Sequence, residues 1–188
     1  VYLFLDQKGC EPDKVDIFER SPFSYACESG HLEIVKILLE TRKIKVDRRP
    51  RATPGFLPGH HEGRTPIEFA CFQGHLDVVD YLLQEGQAHL IGNEIIEQLI
   101  QSGRHNRLDM INLLLSLGTL RLTSCSPVVR AIESNLRILA NTLTTYMYKT
   151  RTVIDLEEFF AKRCMQLAQM HDWSEIIDGI ERVAQIKD

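Results

Sequence analysis

Apolar residues recur on a helical period in two stretches. The first holds Leu32, Ile34, Val35, Ile37, Leu38 and Leu39, and the second Leu76, Val78, Val79, Leu82 and Leu83. Glu33, Lys36, Asp77 and Asp80 fill the polar side, so each stretch predicts an amphipathic helix. The apolar stripe is too wide for one neighbouring helix to bury, so such helices must stack. A shorter helix is predicted ahead of each. It opens at Ser21-Pro22 or Thr65-Pro66, where Ser or Thr suits the N-cap and Pro the first helical position. Ala26 and Ala70 give these short helices a small packing residue. Gly30 and Gly74 end them, and His31 and His75 lead into the longer helices.

Residues 21–40 and 65–84 are therefore copies of one unit, identical at nine of twenty aligned positions. An internal repeat of helix pairs decides architecture before any single residue does. The Pro openings, the Ala-Cys pairs (Ala26-Cys27, Ala70-Cys71), the Gly-His corners and the Leu pairs resemble the ankyrin repeat. That family has a period of 33 residues and a Thr-Pro-Leu-His-x-Ala opening. Ser24 and Glu68 stand where the family carries its His, which removes one loop-bracing hydrogen bond. The resemblance implies an all-α fold: an ankyrin-repeat solenoid of stacked helix-turn-helix units, with a long inserted loop and a helical C-terminal cap.

The two openings lie 44 residues apart, about eleven more than the family period. The surplus falls in a Pro-, Gly- and Arg-rich stretch that predicts a loop. A third copy aligns residues 108–118 with 76–86, and a fourth begins at Ser126-Pro127 with Ala131 as its small residue. In that fourth copy Ser134-Asn135 replaces the Gly-His corner. Residues around Ala168, His171 and Trp173 fit a divergent last copy. The expected organisation is one ankyrin domain over 1–188. It comprises the end of a truncated repeat (1–13), a repeat (14–46), an insertion (47–57), a repeat (58–90), degenerate repeats (91–120 and 121–150), and a divergent repeat or cap (151–188). Residues 3–13 match the end of a second helix, so the chain is expected to begin inside a repeat.

Composition narrows the class. No run of 18 apolar residues and no secretory-type N-terminus is present. Cys10, Cys27, Cys71, Cys125 and Cys164 show no C-x-x-C spacing. Unpaired cysteines point to an intracellular protein, cytoplasmic or nuclear, with Cys27 and Cys71 as buried packing residues. The net charge is −4, unevenly spread. Residues 42–64 hold seven basic and two acidic residues, leaving 15 basic and 24 acidic for the rest. That asymmetry can attract an acidic protein segment, or fold back on acidic neighbours. The acidic body argues against nucleic acid or anionic lipid as the partner.

No phosphate loop, nucleophile elbow or zinc-protease helix is present. His60-His61 with His75 and Glu62 has no metal-ligand spacing; His31 and His75 are expected to brace loop backbone. Neither enzymatic activity nor a cofactor is expected. The resemblance implies a monomeric scaffold that meets a partner protein or peptide at its loop tips and on the exposed face of its first helices. Carried onto this sequence, that surface is Ile17, Phe18, Arg20, Glu28 and Ser29, then His61, Glu62, Arg64, Phe72 and Gln73, then Arg104 and His105. Arg48, Arg49 and Arg51 of the basic stretch extend it. Phe18 and Phe72 are either exposed anchors flanked by Arg or packing residues, and Phe56-Leu57 pose the same question. The alternative reading is a targeting module of a larger enzyme or effector whose catalytic domain lies outside this sequence.

Overall fold

A computed structural model describes residues 9–50, 63–85, 88, 92–102, 107–118, 126–150 and 158–185. All regular elements among the described residues are α-helices, as the repeat pattern requires. They are α1 (Pro22–Glu28), α2 (Leu32–Glu40), α3 (Pro66–Gln73), α4 (Leu76–Gln84), α5 (Gly92–Ser102), α6 (Arg107–Ser116), α7 (Ser126–Glu133), α8 (Arg137–Lys149), α9 (Glu158–Met170) and α10 (Ser174–Ala184). The chain divides into two compact units, Val1–Leu90 and Ile91–Asp188.

In the first unit α1 packs on α3, α2 on α4, and each short helix on its longer partner. Phe23, Cys27, Val35, Ile67, Ala70, Cys71, Val78, Val79 and Leu82 are fully buried between them. Cys27 and Cys71 thus occupy equivalent core positions, and burial pushes both thiols well above their ordinary pKa. In the second unit α5 packs on α7, α7 on α9, and α8 on α10. Its core includes Ile96, Met110, Ile111, Leu114, Ala131, Ile132, Ala140, Leu143, Cys164, Ala168 and Ile176, all fully buried.

The openings of α1 and α3 show what replaces the family's His. Ser21 accepts a hydrogen bond from the Ser24 amide at 3.2 Å, and the two hydroxyls lie 3.2 Å apart. At α3, Thr65 accepts from the Glu68 amide at 3.4 Å while the Glu68 carboxylate accepts from the Thr65 amide at 2.8 Å. This capping box satisfies two helix-end donors reciprocally. The brace expected to be missing is supplied by a different chemistry at the same position.

Four corners between paired helices share one geometry. The amides of His31, His75, Leu136 and Trp173 donate to the carbonyls of Ala26, Ala70, Ala131 and Ala168 at 2.9–3.0 Å. The residue before each amide is left-handed: Gly30 (φ +70), Gly74 (+86), Asn135 (+56) and Asp172 (+54). Gly adopts that conformation without strain, and Asn and Asp tolerate it best among the others. The corner of α7 and α8 is thus Asn135-Leu136, one residue later than the sequence alignment placed it, because the bond from Leu136 to Ala131 fixes the register. Trp173, 7% exposed, takes the place of the corner His in the last pair and stacks on His171 at 4.8 Å.

The corner histidine also joins one pair to the next. The His75 Nε2–H donates to the Glu28 carbonyl at 2.9 Å, satisfying an end carbonyl of α1. Its ring lies flat against Gly30.

Candidate functional site

The turn before α1 is organised by one carboxylate. Asp16 Oδ1 accepts from the amides of Phe18 and Arg20, each at 2.9 Å, and Oδ2 accepts from the Tyr25 hydroxyl at 2.6 Å. The Asp16 amide donates to the Arg20 carbonyl, and the Glu19 amide to the Asp16 carbonyl, both at 3.0 Å. Glu19 is left-handed at φ +58. These bonds close a tight turn around residues 17 and 18. Ile17 is 86% exposed and Phe18 38%.

Burial works to raise the Asp16 pKa, but the Tyr25 hydroxyl, the two amides and the Arg20 charge together hold it below its ordinary value. A depressed carboxyl pKa stabilises the turn above the ordinary carboxylate range, and that stabilisation is lost as pH falls through the folded-state value. The Phe18 and Arg20 amide resonances should therefore titrate together with an inflection below the ordinary Asp pKa of about 3.9. An inflection at or above that value would contradict the hydrogen bonding described.

Arg20 departs from the surface position expected of it. It is 7% exposed and paired with Glu28, which is 16% exposed. Its guanidinium lies 4.0 Å from the centre of the Tyr25 ring and 4.5 Å from that of Phe69. The planar group is held between two rings and a carboxylate, a structural role that Arg fills better than Lys. Arg48 pairs with Asp13, and Arg49 with the buried Glu68 at 2.7 Å. Two cations of the basic stretch thus pair with acidic neighbours, while Arg42, Lys43 and Lys45 are exposed.

Arg64 covers the Phe72 ring at 4.1 Å. Half-burial acts to lower the Arg64 pKa, against the opposing pull of Glu68 and Glu28. Phe72 and Gln73 are partly exposed and Ser29 is exposed. Phe72 is therefore neither a free anchor nor a core residue: one face is roofed by a cation and the side chain remains partly in water. Arg51, His61, Glu62, Arg104, His105, the Phe56-Leu57 pair, His60 and Cys125 lie outside the described residues.

Tyr25 is absent from the sequence-derived set. It is 41% exposed, on the same side of the turn as the Asp16 carboxylate it binds. The bond to Asp16 raises the pKa of its hydroxyl. The signal available in the sequence was its alignment with Phe69, a paired aromatic position in the two clear copies.

In the second unit, a groove of about 330 Å³ lies between α6 and α8, lined by residues including Asn112, Ser116, Asn141, Thr145, Tyr146 and Lys149. Among the described residues no group of three or more His, Cys, Asp or Glu is placed to hold a metal ion. No described helix is long and apolar enough to cross a membrane.

A search of curated proteins finds no match. Among solved structures the chain is similar to one chain of a complex described as Bd0816 predatory endopeptidase from Bdellovibrio bacteriovorus with immunity protein Bd3460. The identity is 16% and the TM-score 0.47, with 90% of this chain and 99% of that chain covered. A family model for ankyrin repeats, in three copies, matches residues 1–91. The helix pairs, capped Pro openings and Gly-His corners of the first unit fit the ankyrin repeats whose model matches this part of the chain.

Proposed function

We propose that the chain is a non-catalytic interaction module that binds a partner protein or peptide through its first unit. The contact surface consists of the turn at residues 16–20 and the exposed sides of α1 and α3: Ile17, Phe18, Tyr25, Ser29, Arg64, Phe72 and Gln73. Arg20 and Glu28 belong to the support beneath it. The observation that carries the reading is the rigid turn displaying Ile17 and Phe18 to solvent. Large apolar side chains held outward by a fixed backbone are what interface anchors require. Ankyrin repeats present such surfaces to macromolecules and in general carry no chemistry of their own.

Affinity capture with the full chain tests this, repeated with Phe72→Ala. The truncation removes a partly exposed ring and its stacking with Arg64, worth about 1 kcal/mol or less to folding. It should weaken capture of a saturable protein partner by about tenfold. Unchanged capture would move the site elsewhere. A large fall in Tm with intact capture would make Phe72 a packing residue.

A further inference from the structure

We infer that Tyr25 is a positioning residue of the contact surface: its hydroxyl latches the turn at residues 16–20 onto α1 through Asp16, and so fixes where Ile17 stands. The inference rests on the protein-binding reading above and adds the group that sets the geometry of that surface.

Asp16 is the hub of the turn, yet its side chain is exposed and lies outside the helices. Its Oδ1 accepts from the amides of Phe18 and Arg20, and two bonds between backbone groups complete the closure. All of these act within residues 16–20. The bond from the Tyr25 hydroxyl to Oδ2, at 2.6 Å and nine residues away, joins the turn to a helix. That helix is a fixed reference, because Phe23, Ala26 and Cys27 hold it in the core.

The Tyr25 ring is placed in turn by Arg20. The guanidinium lies 4.0 Å from the Tyr25 ring centre and 4.5 Å from that of Phe69 in α3, and is paired with Glu28. Tyr25 thus meets Arg20 with its ring and Asp16 with its hydroxyl. Ile17, 86% exposed, gains almost no placement from packing. Its position comes from Asp16 and, through Asp16, from Tyr25. A contact residue set in place beforehand loses less freedom on docking.

Tyr25→Phe in the full chain tests this, because it keeps the ring and removes only the hydroxyl. The Phe18 and Arg20 amides should exchange about tenfold faster, as for the loss of one hydrogen bond to a charged group, while helical circular dichroism is unchanged. Burial raises the Asp16 pKa, and the Tyr25 hydroxyl leads the groups that lower it, ahead of the two amides and the Arg20 charge. Arg20 and Glu28 are the other charged groups acting on the pair. Without the hydroxyl the carboxylate protonates at a higher pH, so the inflection shared by the two amide resonances should move up. Peptides selected from a displayed random library on the parent, and lost in Ile17→Asp, should bind Tyr25→Phe about tenfold more weakly. In an Asp16→Ala background the same change should have little effect, since the hydroxyl then has no carboxylate to hold.

Unchanged exchange with an unmoved inflection would overturn the latch, and Ile17-dependent peptides would then leave the protein-binding surface standing. Equal losses of affinity in the two backgrounds would make the hydroxyl a direct contact and overturn its positioning role. Failure to select any peptide that depends on Ile17 would overturn the surface, with exchange and titration still reporting on the latch.

Discussion

Replacing Gly30 with Ala is expected to destabilise the first unit by about 3 kcal/mol, summing left-handed backbone strain with overpacking. The glycine sits at φ +70, where a Cβ is disfavoured in its own right. The larger part of the cost is steric. A Cβ there would lie 2.6 Å from Cε1 and 2.8 Å from Cγ of the His75 ring, and closer still to Nδ1. The ring cannot swing aside freely, because its Nε2–H is bonded to the Glu28 carbonyl at 2.9 Å. Moving it gives up that bond, worth about 1 kcal/mol, and leaves an end carbonyl of α1 without its partner. A double-mutant cycle with His75→Ala separates the two costs. If the ring is the obstacle, Gly30→Ala should be milder in the His75→Ala background, with a coupling above about 0.5 kcal/mol. Additive denaturation midpoints would show that the ring is not what excludes a side chain at position 30.

Phe69→Ala should cost about 3–5 kcal/mol, the range for emptying an aromatic site in a core. Phe69 is 1% exposed and lies beneath the Arg20 guanidinium at 4.5 Å. Its loss opens a cavity in α3 and removes one of the two rings that hold Arg20, so the Arg20–Glu28 pair and the turn it borders should loosen together. The contrast with Phe72, three residues along the same helix, is the informative part. Both are aromatic and both have an arginine over the ring. One is buried and the other partly exposed, so urea unfolding should report a large loss for Phe69→Ala and a small one for Phe72→Ala. Equal losses would mean that the exposed side of α3 is packed and unavailable for binding.

The scaffold was legible because its rules are local. Pro openings, Ala, Gly-His and Leu pairs each act within a few residues, and two near-identical copies expose the pattern. The second unit was harder to read, since Asn135 and Asp172 perform the left-handed turn that Gly performs in the first. Only backbone geometry shows that the four corners are equivalent. That is also why the corner of the fourth copy was placed one residue early.

The candidate site was legible in part. Ile17 and Phe18 came from alignment to family contact positions, and both are exposed. Arg20 came from the same alignment and is buried, because the choice between solvent and a Tyr25–Phe69 sandwich depends on residues 44 apart in the chain. The pairing of Arg48 and Arg49 is likewise non-local, set by Asp13 and Glu68. Charge counts along a sequence record how many cations a segment has and leave open which of them are already paired. Tyr25 escaped because its role depends on Asp16, nine residues earlier, and no helical or strand period links the two.

Amide hydrogen exchange of the full chain, free and saturated with a selected peptide, tests the central claim most directly. The expected result is added protection over residues 16–29 and 64–73, where the turn and the exposed sides of α1 and α3 lie, with the second unit unchanged. Protection confined to residues 126–184, with the turn at Asp16 exchanging as before, would contradict it.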